Sequence, residues 1–129
     1  MKANVLVDTS IWIEYFNKPD SNAGKSLENL LKKGRVFLTG IILTELLQGA
    51  KIEKEFESIL ESMLALPFLE TTINTWIQSG RISFALRKKG IIIPTTDLII
   101  ASLSLENNCK IFTLDLHYNK IPRINIYTY

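Results

Sequence analysis

Asp8, Glu45, Asp97 and Asp115 are the residues of this chain whose types and placement could do chemistry. Each lies next to a segment that should carry it to the same edge of a sheet. Carboxylates crowded at one edge repel one another, and burial makes each ionised form costlier, so without compensation some would take up protons. A divalent cation removes that conflict. The set contains no histidine or cysteine, and oxygen-only ligation suits a hard ion, Mg²⁺ or Mn²⁺, and argues against zinc. Such an ion would activate a bound water and neutralise charge that develops during a hydrolysis. Asp8, Asp97 and Glu45 are the first candidates to hold it. Asp115 would hold a second ion or position the water.

The elements that must position these groups are short. Asn4 to Val7 is an apolar, β-branched run that reads as a buried strand, and the chain turns helical from Thr9, so Asp8 belongs at a strand's carboxyl end. Lys110 to Leu114 reads as another strand, with Asp115 directly after it. In open parallel sheets ligands bind outside the carboxyl ends of the strands, where the crossover helices also begin. Pro94, Thr95 and Thr96 signal the start of a helix that holds Asp97 in its first turn, where the positive end of the helix would help keep the carboxylate ionised. Glu45 interrupts an apolar helix, Gly40 to Ala50, that follows a strand over Arg35 to Leu38.

The remaining segments fit the same alternation. A helix capped by Ser21 or Asn22 runs to Lys33 and is stopped by Gly34. Phe56, Ile59, Leu60, Met63 and Leu64 have helical spacing within Glu53 to Leu64, which should pair with the Glu45 helix. Pro67 to Glu70 is a brief strand, Ile73 to Lys89 a long helix ended by Gly90, and Asn125 to Thr128 a last strand at the sheet edge. The expected fold is α/β: residues 1–129 as one domain with a central, mostly parallel sheet flanked by helices.

Each acidic residue also has a plainer role open to it. Asp8 before Thr9 and Ser10 fits an N-cap, Asp97 a helix-dipole residue, Asp115 a turn residue, and Glu45 a side chain reaching solvent. Four such coincidences would have to converge on one edge. Lys32, Lys33, Arg87, Lys88 and Lys89 end helices and complement their dipoles. His117, the only histidine, reads as an exposed loop residue. Trp12, Tyr15, Trp76 and Phe84 suit core or interface packing, and Cys109 is a small residue beside a strand.

Composition excludes several classes. With 129 residues, 47% hydrophobic and 22% charged, the chain has the balance of a globular domain, and its net charge of +2 does not by itself argue for nucleic acid. No apolar run reaches the ~20 residues of a membrane helix, and the N-terminus lacks a secretory pattern, so a cytoplasmic protein is expected. A single cysteine excludes an intramolecular disulfide. No glycine-rich turn follows the first strand, against a dinucleotide site. Ser10 stands where a haloacid dehalogenase pattern needs a second aspartate, and the paired acids and late lysine of a receiver domain are missing.

Taken in order, Val5-Leu6-Val7-Asp8-Thr9-Ser10, Thr44-Glu45-Leu46-Leu47-Gln48-Gly49, Thr96-Asp97-Leu98-Ile99-Ile100-Ala101 and Phe112-Thr113-Leu114-Asp115 resemble the motifs of PIN-domain ribonucleases, the VapC toxins most closely. The resemblance spans essentially the whole chain, and its specificity lies in the combination. It implies that Asp8, Glu45, Asp97 and Asp115 bind Mg²⁺ or Mn²⁺ and that Thr9, Ser10 and Thr113 support them. It also implies RNA as substrate, a VapB-like antitoxin as partner and a homodimer. The alternative is a PIN-like protein-binding module without catalysis, or another metal-dependent phosphohydrolase.

Overall fold

The first strand, β1 (Val5–Val7), has all three side chains buried, and a continuous apolar run of that length is what a strand covered on both faces requires. In the computed structural model, which describes residues 3–129, it lies at the centre of a four-stranded sheet. Its neighbours are β2 (Val36–Thr39) and β4 (Lys110–Phe112), with β3 (Phe68–Leu69) outside β2, giving the order β3-β2-β1-β4. Every pairing is parallel, with Leu6 opposite Phe37 on one side and Ile111 on the other, and Leu38 opposite Phe68. All strands therefore end at one edge.

Parallel neighbours need crossovers, and helices supply them. Helices α1 (Thr9–Asn17) and α2 (Asn22–Lys32) link β1 to β2. Helices α3 (Gly40–Gln48) and α4 (Glu53–Leu64) link β2 to β3, and α5 (Ile73–Arg87) and α6 (Thr95–Glu106) link β3 to β4. The two helices of each crossover pack on each other, as expected for the Glu45 helix and its successor. Ser21 caps α2, its hydroxyl accepting from the Gly24 amide at 3.0 Å. A side chain at Gly24 would sit 2.7 Å from the Pro19 carbonyl oxygen, so the α1–α2 turn needs glycine there. None of the helices over the described residues is long and apolar enough to cross a membrane.

The core gathers Val5, Leu6 and Val7 with Trp12, Leu27, Leu30, Ile42, Phe112 and the apolar residues of α6. Helix α6 is buried from Leu98 to Ser104 without a break, so its sequence shows no polar face. Its serines are small enough for close contact with α5 and keep their hydroxyls bonded. Ser102 Oγ donates to the Leu98 carbonyl at 2.9 Å and lies 2.9 Å from Ser79 Oγ.

Two elements differ from the sequence expectation. β4 stops at Phe112 and not at Leu114, because Thr113 turns out of the sheet and its hydroxyl takes the Asp115 amide at 2.9 Å. The expected last strand over 125–128 reduces to a single parallel bridge, Ile111 to Ile126, on the outer side of β4. Its partner is only three residues long, so the tail is held by two backbone bonds, from the Ile111 amide to the Asn125 carbonyl and from the Tyr127 amide to the Ile111 carbonyl, and by rings: Tyr127 and Tyr129 pack on Phe112 at 4.9 and 5.4 Å between centroids.

Candidate metal centre

Asp8 follows β1 and precedes α1, where an aspartate could cap the helix, yet its side chain makes no cap bond. One carboxylate oxygen, Oδ2, instead accepts from Thr113 Oγ1 at 2.8 Å and from Ser10 Oγ at 3.0 Å. Ser10 Oγ in turn accepts the Leu114 amide at 3.1 Å. The β1 end and the β4 end are thus tied through two hydroxyls, with Asp8 buried between them. Thr9 points elsewhere and donates to Glu45 Oε1 at 2.8 Å, which pins the α3 carboxylate to the start of α1.

Asp97 sits in the first turn of α6, a helix without a side-chain cap. Tyr118 Oη donates to its Oδ1 at 3.2 Å, and His117 Nδ1 lies 3.4 Å from its Oδ2. Asp115 opens the 3₁₀ turn Leu116–Lys120 and accepts the His117 amide at 2.9 Å on Oδ1, so it does act as a turn residue. The same oxygen lies 3.2 Å from His117 Nδ1. Tyr118 is buried and anchors the turn, which holds the His117 ring over the two carboxylates.

Asp97, Asp115 and His117 each offer a donor atom within 4.8 Å of the other two. Asp8 joins them electrostatically. Burial pushes the Asp97 carboxyl above its ordinary value, its contact with His117 opposes that, and the charges on Asp8 and Asp115 add to the rise. The bond from Tyr118 also favours the charged form, so burial and the two neighbouring charges raise the value against two stabilising contacts. The Tyr118 hydroxyl is pushed far above its ordinary value by burial and by the charges of Asp8, Asp97 and Asp115. Carboxylates that press on one another in this way fit a divalent cation, whose charge would relieve them, and their oxygens are the donors such an ion prefers.

His117 is the residue that sequence reasoning underrated. Its side chain is 47% exposed, as a loop residue should be, but its ring stands between two of the candidate ligands. The only available signal was its position two residues beyond Asp115. The groups able to offer a donor atom here thus include one imidazole beside the carboxylates, and an imidazole also suits zinc.

Two cavities meet at Glu45. One, about 530 Å³, runs between α1, α3 and α4 and is lined by Ile13, Phe16, Leu46 and Ile59. The other, about 360 Å³, lies between α3 and the start of α6, with Thr44, Gln48 and Thr96 on its wall.

A parallel sheet with helical crossovers and acidic side chains gathered at the carboxyl edge is the architecture of a PIN domain. The PIN domain family model matches residues 5–124, and the chain belongs to that family. Among curated relatives, Ribonuclease VapC2 of Rickettsia felis is 27% identical over 124 residues, covering 92% of each chain. Ribonuclease VapC1 of Methanocaldococcus jannaschii is 25% identical over 131 residues, covering 99% of this chain and 88% of the relative. Among solved structures, the VapBC2 complex of Rickettsia felis bound to a fragment of its promoter DNA contains a chain that superposes with a TM-score of 0.81. That chain is 25% identical, and the match covers 97% of this chain and 98% of that one.

Proposed function

We propose that this chain is a divalent-metal-dependent endoribonuclease, the toxin of a VapBC-type toxin–antitoxin pair, with residues 1–129 forming one nuclease domain. The observation that carries the proposal is the convergence of Asp97, Asp115 and the His117 ring within 4.8 Å, with Asp8 close enough to raise the Asp97 and Tyr118 pKa values. The relatives named ribonucleases support RNA as the substrate.

Asp8, Asp97, Asp115 and Glu45 would hold the ion, Mg²⁺ in the first instance and Mn²⁺ as the alternative. When bound, the ion supplies Lewis acidity, activating water and neutralising charge on the phosphodiester oxygens. The chain's own residues do the positioning. Thr113 and Ser10 fix one oxygen of Asp8 and leave the other free. Tyr118 fixes one oxygen of Asp97. Thr9 fixes one oxygen of Glu45, a residue that lines two cavities.

The partner is a VapB-like antitoxin, as the solved VapBC complexes support. The apolar cavity along Ile13, Phe16, Leu46 and Ile59 offers it a seat beside Glu45. The exposed row Ile73, Trp76, Ile77 and Phe84 on α5 suits a second copy in a homodimer. A cytoplasmic location fits both partners.

The test is cleavage of structured and single-stranded RNA by purified protein with Mg²⁺, with Mn²⁺ and with chelator, beside Asp8→Asn. Cutting that needs metal and disappears in a folded Asp8→Asn variant is the expected result. Equal, metal-dependent cutting by the variant would overturn the assignment of Asp8. A folded, antitoxin-free protein that cuts no RNA under any condition would favour a binding module.

A further inference from the structure

His117 is more than a neighbour of the acidic cluster. Its Nδ1 lies 3.2 Å from Asp115 Oδ1 and 3.4 Å from Asp97 Oδ2. Both separations exceed the ~2.7–2.9 Å of a charge-assisted hydrogen bond, and one N–H cannot point well at two acceptors. They are closer to the spacing of adjacent ligands around one ion, since donors ~2.1 Å from an octahedral centre lie ~3 Å apart. The turn that presents the ring is fixed from both ends: Asp115 takes the His117 amide, and the next residue, Tyr118, is buried with its hydroxyl on Asp97. A ring held there by the backbone, with one nitrogen facing two carboxylate oxygens, is placed as a donor.

We propose that His117 ligates the metal through Nδ1 together with Asp97 and Asp115, and that this nitrogen biases the site toward Mn²⁺ over Mg²⁺. The inference rests on the metal-dependent reading above. An imidazole is a better donor to transition-metal ions than to Mg²⁺, which favours carboxylate and water oxygens. Removal of the ring should therefore cost Mn²⁺ more than Mg²⁺. Glu45, Asp8 and the hydroxyls that hold them are untouched by the change.

Because His117 is the sole histidine of the chain, a direct spectroscopic test has no ambiguity of assignment. Untagged protein loaded with Mn²⁺ is examined by electron spin echo envelope modulation, with histidine labelled with ¹⁵N or at natural abundance. The expected result is a coupling typical of a directly ligated imidazole nitrogen, changed by the label and absent in His117→Ala. In parallel, calorimetry should show Mn²⁺ affinity falling about tenfold or more in His117→Ala, the lower end of the cost of disturbing residues around a metal. Mg²⁺ affinity should change much less. Mn²⁺ that binds without the nitrogen coupling, or equal losses for the two ions, overturns the role of His117 and leaves the carboxylate site standing. Failure of folded protein to bind either ion overturns both.

Discussion

Thr113→Val tests whether the hydroxyls around Asp8 serve the site or only the fold. The Thr113 hydroxyl donates to Asp8 Oδ2 at 2.8 Å and accepts the Asp115 amide at 2.9 Å, so it joins two of the acidic residues through one atom. Valine keeps the shape and removes both bonds. A bond to a charged acceptor contributes roughly 1.5–3 kcal/mol and a neutral one roughly 0.5–1.5. Asp8 keeps Ser10, and water can reach the half-exposed Asp115 turn, so the lower ends apply and the net loss is about 2 kcal/mol. With a urea slope of ~2 kcal/mol/M, the unfolding midpoint should fall by about 1 M. Released from one of its two donors, Asp8 should also lose its fixed orientation. Metal affinity, measured by calorimetry with Mn²⁺, should then drop about 10- to 100-fold, the range for residues that orient ligands. Thr113→Ser should restore most of both. A variant that loses stability with undiminished Mn²⁺ affinity would refute the positioning role. One that loses neither would refute the hydrogen bonds themselves.

Asp97→Asn should abolish most RNA cleavage, on the order of 100-fold or more, while making the metal-free protein more stable. The folded-state pKa of Asp97 is raised, so the folded chain keeps a proton that the unfolded chain loses above its ordinary value of 3.8. Stability therefore falls as pH rises from there through the raised value, and the full cost is present above it. The stability gap between variant and wild type should open across that window and level off towards neutrality, and a gap that widens instead as pH falls would refute it. Added Mn²⁺ should raise the melting temperature of the wild type much more than that of the variant. Thr39→Val should stabilise by about 1 kcal/mol, because the Thr39 hydroxyl is buried without a hydrogen-bond partner in an extended backbone that suits valine. A fall in the urea midpoint would count against it. Tyr15 donates to Glu28, and that bond, with burial, raises its pKa above 10.0. The bond's contribution is complete below pH 10.0 and is lost as pH rises through the raised value. Tyr15→Phe should cost about 1 kcal/mol at neutral pH and progressively less in alkali, and ultraviolet titration should show one late-ionising phenol disappear.

Much of the fold was legible because its signals are local. Asp8 follows three apolar residues and Asp115 follows a second such run by a turn, so their placement at strand ends needed only the rule that parallel strands share a carboxyl edge. The helix after the one that holds Glu45 carried helical periodicity, and the two pack as a pair. The C-terminal segment formed less strand than expected because its pairing partner is three residues long, too short to extend a ladder. The rise in the Asp97 pKa was not legible in its own helix, because burial and the charges on Asp8 and Asp115 come from elsewhere in the fold. The closeness of His117 to the acidic residues was invisible for a related reason. An exposed histidine in a turn carries no periodicity, and its reach toward Asp97 exists only because a buried Tyr118 fixes the turn against α6.

The hydroxyls show how the site reconciles crowded charge with a stable fold. Thr9 and Ser10 are adjacent at the start of α1 and serve different carboxylates: Thr9 reaches Glu45 across the α1–α3 contact, and Ser10 reaches Asp8 and the backbone beyond β4. Helical neighbours point in divergent directions, so two consecutive hydroxyls can hold acids from two crossovers. Each bond uses only one oxygen of its carboxylate. Asp97 follows the same pattern at Oδ1, where Tyr118 donates. The charges are therefore stabilised enough to be buried in part, but not neutralised: Asp8 and Glu45 each keep one oxygen outside these bonds, and the second oxygen of Asp97 faces the His117 ring. A site satisfied by lysine or arginine partners would be more stable and would have no affinity left to give. The raised pKa of Asp97 is the physical trace of that incomplete compensation.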